Sequence, residues 1–172
     1  MKEDERPDPP LTGDERATLT GFLDYQRATL EWKCDGLDPD QLAARSMPPS
    51  TMSLLGLVRH LAEVEWSWFD RFVLNGYRRD PYFFSLDDLE RDFEGAVADP
   101  DVVAEAFEKW RSAIDESRAV TARTELDATF HHARWEKDIS LRWVLTHMIE
   151  EYARHNGHAD LLREAIDGAT GE

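Results

Sequence analysis

The chain has 172 residues, with 20 basic against 36 acidic ones, and a net charge of −16. Such a length buries the core of one domain without disulfides or structural metals, and the negative field repels phosphate backbones and anionic lipid, which argues against nucleic acid and membrane as partners. Six Trp, eight Phe and four Tyr within 41% apolar residues exclude global disorder, and no stretch approaches the roughly eighteen uninterrupted apolar residues of a spanning helix.

Residues 1–10 carry four acids and Pro7, Pro9 and Pro10, which predicts a disordered leader ahead of one domain over residues 11–172. From about residue 14 to residue 33, Leu19, Phe22, Leu23, Leu30 and Trp32 recur at mostly helical spacing, with Thr12 or Asp14 as cap. Gly36 ends this first helix. Its Cys34 is the only cysteine, so no intramolecular disulfide forms, in keeping with a cytoplasmic protein. Pro39, Pro48 and Pro49 mark residues 37–49 as a loop with one helical turn from Asp38.

Ser50, Thr51 and Ser53 offer caps to a second long helix, striped by Leu54, Leu57, Val58, Leu61, Val64, Trp68 and Phe72 and stopped by Asn75-Gly76. Residues 77–98 mix aromatics with acids and predict a crossover with a short helix near 86–93. Asp99-Pro100 pairs an N-cap with proline at the first helical position, and Val103, Ala106, Phe107, Trp110 and Ile114 carry a third helix to about Ala122. Residues 124–139 have no helical stripe and suggest an irregular or hairpin-like link. Ser140 caps the fourth helix, which runs through Leu141, Val144, Met148, Tyr152 and Leu162 to Gly168. Four amphipathic helices bury their stripes most simply against one another, so the expected fold is an all-α four-helix bundle.

The chemistry concentrates on the fourth helix, in H-M-I-E-E-Y-A-R-H-N-G-H. At about 100° per residue, with Glu151 at zero, its apolar residues fall roughly between +20° and +100°, His155 lies near +40°, and Glu151 sits on the edge. A carboxylate facing a core is costly unless paired or metal-bound, and a histidine one turn on adds a nitrogen to the same face. His60 of the second helix borders the stripe of Leu57, Val64 and Trp68. His60, Glu151 and His155 therefore form a candidate three-ligand metal site with coordination positions open to water or substrate. A hydrogen-bonded polar triad without metal is the alternative. His147 and His158 flank the set as outer-sphere groups, as a fourth ligand or as partly exposed side chains. His131-His132 offers a substrate-side contact or a solvated loop pair.

The segments L-V-R-H-L-A-E-V-E and L-R-W-V-L-T-H-M-I-E-E-Y-A-R-H-N-G-H-A-D-L-L-R-E resemble the DinB-like superfamily, and more narrowly its actinobacterial mini-circle-protein branch. The likeness runs over about residues 14–168. It implies an up-up-down-down four-helix bundle, often a homodimer, with zinc or nickel held by one residue of the second helix and two of the fourth. His60 and His155 match the family's first and last ligands. Glu151 stands where many members carry histidine and agrees with the branch of the mycothiol-dependent maleylpyruvate isomerase, whose N-terminal domain is related. His158 stands where many relatives carry glutamine.

Characterised relatives use mycothiol, bacillithiol or glutathione, and the metal activates the thiol. The resemblance thus implies a metal-dependent thiol S-transferase that joins a mycothiol-type co-substrate to an electrophilic small molecule. A metal-dependent hydrolase could use the same ligands. A non-enzymatic stress-response protein that binds metal or a small molecule, or a purely structural dimer, would use the fold without turnover.

Overall fold

The computed structural model describes residues 6–74, 80–83 and 91–170. Its described residues form six helices and one hairpin: α1 (Glu15–Cys34), α2 (Pro39–Ala43), α3 (Leu54–Val73), α4 (Arg91–Glu94), α5 (Pro100–Arg123), β1 (Thr129–His132), β2 (Lys137–Ser140) and α6 (Leu141–Asp167). The molecule is thus mostly helical with a small two-stranded sheet.

The helices start where side chains satisfy the orphan N–H groups of a first turn. Asp14 accepts from the Ala17 amide at 2.8 Å, Ser53 from Gly56 at 3.1 Å, Asp99 from Asp101 at 2.8 Å and Ser140 from Trp143 at 3.2 Å. Asp38 and Gln41 form a reciprocal capping box on α2. At the other end of α6, Gly168 adopts a left-handed φ of 75° that an L side chain would strain. The stop at Asn75-Gly76 and residues 86–90 of the expected crossover helix lie outside the described residues; α4 occupies the end of that segment.

Contacts between helices give their directions. Along α1, Glu15, Gln26 and Lys33 meet Arg142, Asn156 and Asp160 of α6 in that order, so these two run parallel. Arg16, Asp24 and Glu31 meet Thr121, Arg118 and Arg111, so α5 runs antiparallel to α1. His60, Glu65 and Trp68 of α3 meet His155, Tyr152 and His147, so α3 opposes α6. In chain order the long helices run up, down, down, up, which corrects the up-up-down-down expectation. The reason lies in the connections. A link that leaves two neighbouring 20-residue helices parallel must travel back about 30 Å, and the segment spanning that distance joins α3 to α5. Between α1 and α3, and between α5 and α6, the chain simply reverses.

The α5–α6 reversal is the hairpin. Its strands pair antiparallel with Phe130 opposite Ile139, and both of these side chains are buried while His131 faces solvent. Phe130 lies edge-on to Phe72 at 4.9 Å, and the amides of Leu141 and Arg142 donate to Ala128 and Leu126 at 3.0 and 2.9 Å, so the hairpin and the first turn of α6 are one unit.

Residues 6–10, the described part of the N-terminal stretch, lie along α1. Arg6 sits 4.8 Å over Tyr25 and 4.4 Å over Trp32 and donates to Thr29 at 2.9 Å. At the centre, Arg27 of α1 donates to both oxygens of Glu65 at 2.6 and 2.8 Å and to Ser117 of α5 at 2.6 Å. Tyr152 of α6 donates to Glu65 at 3.0 Å and accepts from the Trp110 indole at 2.8 Å. One residue or more from each long helix thus meets in a core of polar groups that satisfy each other.

Candidate metal centre

The facing turns of α3 and α6 bring three side chains together. His60, Glu151 and His155 each offer a donor atom, and these atoms all lie within 4.8 Å of one another. The rings of His60 and His155 stand 4.9 Å apart at 63°, and His155 Nε2 lies 3.5 Å from Glu151 Oε2. That separation suits an ion: atoms about 2.1 Å from a tetrahedral cation stand about 3.4 Å apart. Two imidazoles and one carboxylate are also the donor chemistry that a borderline divalent metal takes. The residues therefore fit a divalent cation.

Each histidine is oriented from behind. Asp92 Oδ2 lies 2.8 Å from His60 Nδ1; a carboxylate only accepts, so Nδ1 carries a proton, and it is Nε2 of the neutral ring that has the lone pair a cation would take. Asp92 is itself buried, with its other oxygen accepting from the Phe93 amide at 2.9 Å. Phe93 stacks on the His60 ring at 5.1 Å and 28°. This arrangement depends on close packing of α4 on α3. Arg59 donates to the carbonyls of Asp92 and Arg91 at 2.7 and 3.2 Å, and a Cβ at position 56 would stand 2.9 Å from the Phe93 ring, so Gly56 makes room for it. Asp92 had no signal in the sequence: it is one acid among Asp87, Asp88, Glu90 and Glu94 in a segment without a stripe.

His155 Nδ1 lies 3.3 Å from His158 Nδ1. In the tautomer that leaves His155 Nε2 a lone pair, its Nδ1–H donates to His158. Burial, then the neighbouring His155, holds the His158 pKa below its ordinary value, which keeps that ring neutral and able to accept. In the other tautomer His155 turns an Nε2–H to Glu151, and that hydrogen bond holds the carboxyl below its usual range against the opposing effect of burial, so Glu151 is ionised at neutral pH.

The remaining histidines separate. His147 Nε2 lies 3.6 Å from Glu151 Oε1, and its Nδ1 lies 3.6 Å from Glu150 Oε2. These three residues form a second group able to approach one ion, but Glu150 is already paired with Arg154. His131 and His132 point to opposite sides of β1, as strand geometry requires. His131 is exposed and pairs with Asp138 at 3.0 Å; His132 is buried beside Trp68, at a ring distance of 5.7 Å. Cys34 is buried, and burial pushes its thiol up to about 12.

A family model described as mycothiol-S-transferase matches residues 18–168, which include all three candidate ligands. The chain belongs to the mycothiol-S-transferase family. This family has the DinB-like fold and is generally metal-dependent. No curated protein matches the chain. Among solved structures, the crystal structure of a conserved protein from Enterococcus faecalis aligns with a TM-score of 0.64 at 12% identity, covering 92% of this chain and 100% of that one. At that identity the likeness speaks for the fold alone. No helix among the described residues is long and apolar enough to cross a membrane.

Proposed function

We propose that this member of the family is a metal-dependent S-transferase that joins a mycothiol-type low-molecular-weight thiol to an electrophilic small molecule, with His60, Glu151 and His155 holding zinc or nickel. The observation that carries the reading is the convergence of those donors within 4.8 Å in a chain of this family. A homodimer in the cytoplasm belongs to the same reading.

His60, Glu151 and His155 would hold the cation, whose chemistry there would be to lower the pKa of a nearby thiol so that its sulfur is nucleophilic at neutral pH. The rest is done by the chain. Asp92 and His158 fix the two rings so that each presents Nε2 to the centre, and the ionised Glu151 supplies one negative charge. Two neutral imidazoles and one carboxylate would offset only about one of a divalent ion's two charges, so the site would favour an anionic sulfur over a neutral one. In the transfer, the S–H proton goes to solvent, a sulfur–carbon bond forms, and the leaving group departs with the electron pair of the bond it breaks. The sulfur comes from a separate thiol molecule, because Cys34 is buried as a neutral thiol.

The test is elemental analysis of protein purified without an affinity tag, with turnover measured for mycothiol, bacillithiol and glutathione against simple electrophiles. The expected result is about one divalent ion per chain, lost in His60→Ala and His155→Ala together with activity, as removal of a direct ligand requires. Stoichiometric metal without thiol-dependent turnover would replace this reading with a binding protein. Turnover that needs no thiol would replace it with a hydrolase.

A further inference from the structure

A continuous wall of aromatic rings leads away from the candidate ligands. His147, which faces Glu151, is stacked on Trp143 at 4.9 Å and 20° and stands edge-on to Trp68 at 5.0 Å. Trp68 in turn meets Trp143 at 5.3 Å, Trp135 at 5.6 Å and His132 at 5.7 Å. Trp135 lies in the hairpin turn, stacked on His132 at 4.5 Å and 28°, and its amide is held by the His132 carbonyl at 3.1 Å. From Glu151 to Trp143 is two turns of α6, a run of about 12 Å.

The inner members of this wall are buried and the outer two are not. Trp68 is 8% and His132 7% exposed, whereas Trp143 is 41% and Trp135 47% exposed. Indoles this open, held in place by rings behind them, offer flat electron-rich surfaces at little ordering cost. Their position is continuous with the candidate centre through His147. A small molecule with its reactive carbon at the centre would extend its body along them.

We propose that Trp143 and Trp135 form the electrophile subsite, and that it takes planar, electron-poor aromatic compounds. The inference rests on the S-transferase reading for its chemistry but not for its binding. Electron-poor rings stack well on indole because the face of an indole is electron-rich. Trp68 supports the two outer rings from behind, and His147 connects the subsite to Glu151.

The experiment has two parts. Binding is measured with 1,3-dinitrobenzene, which has no leaving group, by quenching of tryptophan fluorescence and by calorimetry. Trp143→Ala and Trp135→Ala should each weaken it about ten-fold, the scale of one stacked aromatic pair, while Trp143→Phe restores most of the affinity and metal content stays unchanged. Turnover is then measured with mycothiol and either 1-chloro-2,4-dinitrobenzene or iodoacetamide. The alanine variants should raise KM for the aromatic electrophile and leave kcat, and both constants for iodoacetamide, near the wild-type values. Unchanged dinitrobenzene affinity in both variants overturns the proposal. So does an alanine variant that halves the molecular mass in sedimentation without a change in affinity, since a second copy of the chain would then be what covers these rings. Ring-dependent binding without any turnover supports the subsite and overturns the S-transferase reading alone.

Discussion

Glu151 and Tyr152 are neighbours on α6 but enter two polar clusters of opposite kind. Tyr152 closes a network in which Arg27, Glu65, Ser117 and Trp110 are linked by hydrogen bonds of 2.6 to 3.0 Å, with Asp24 pairing Arg27 at its edge, and Glu65 is 0% exposed. Burial works against the Arg27 charge, and Glu65 more than offsets it, so its pKa stands above the ordinary arginine value. Glu151 enters a cluster whose nitrogens and oxygens approach only to 3.5 and 3.6 Å, longer than any of those bonds and close to the spacing an ion would impose. Its strong hydrogen bond, His60 to Asp92 at 2.8 Å, points away from the centre. The closed cluster joins four helices; the open one keeps lone pairs available. Distances among the polar atoms thus separate a cluster that holds the fold from one able to hold a ligand.

The comparison breaks most visibly at Glu65. Glu65→Leu leaves the buried Arg27 guanidinium with only Ser117 and the half-buried Asp24 as partners and should cost about 3 kcal/mol, read as a lower urea midpoint. The double variant Arg27→Met/Glu65→Leu should recover most of that loss, because two apolar groups leave no unpaired charge. Next in size is Asp92→Asn, which keeps the shape of the side chain but no longer selects the His60 tautomer; metal affinity should fall 10- to 100-fold in a chelator competition, with the unfolding midpoint of the metal-free protein nearly unchanged.

Alkali should attack the closed cluster through Tyr152 and the core at the end of α1 through Cys34. Burial raises the pKa of Cys34 from 9.0 to about 12 and, with the Glu65 charge, raises that of Tyr152 well above 10.0. Both are acids whose folded values exceed their unfolded ones, so the unfolded chain releases protons first. Stability is then full below about pH 9 and declines as the pH rises through the folded values. Urea midpoints taken from pH 8 upward should show this fall, and Cys34→Ala should make it shallower. The smallest effect is expected in the open region: Glu151→Ala should change the stability of metal-free protein by no more than about 1 kcal/mol, though it removes a ligand.

Much of this molecule is legible in the chain. The caps at Asp14, Asp38, Ser53, Asp99 and Ser140 are local, with each acceptor two or three residues from its donor. The same holds for Glu151 and His155, one turn apart on α6, and for His60 at the border of the α3 stripe. The position of Glu65 was not legible. L-A-E-V-E places it beside apolar residues, but nothing local distinguishes an acid that meets Arg27 from one at the surface. His132 was equally open until β1 placed it on the buried side and His131 on the other.

The sequence by itself determined the helices, their ends and the inward-facing donors on α3 and α6, because periodicity and capping depend on residues within a turn of one another. Only the tertiary structure decided which donors meet across helices, that α3 and α5 run parallel, that Asp92 stands behind His60, and that the hairpin carries Trp135 to Trp68. Those pairings join residues far apart in the chain. They form only when whole faces pack, and no short stretch of sequence contains both partners.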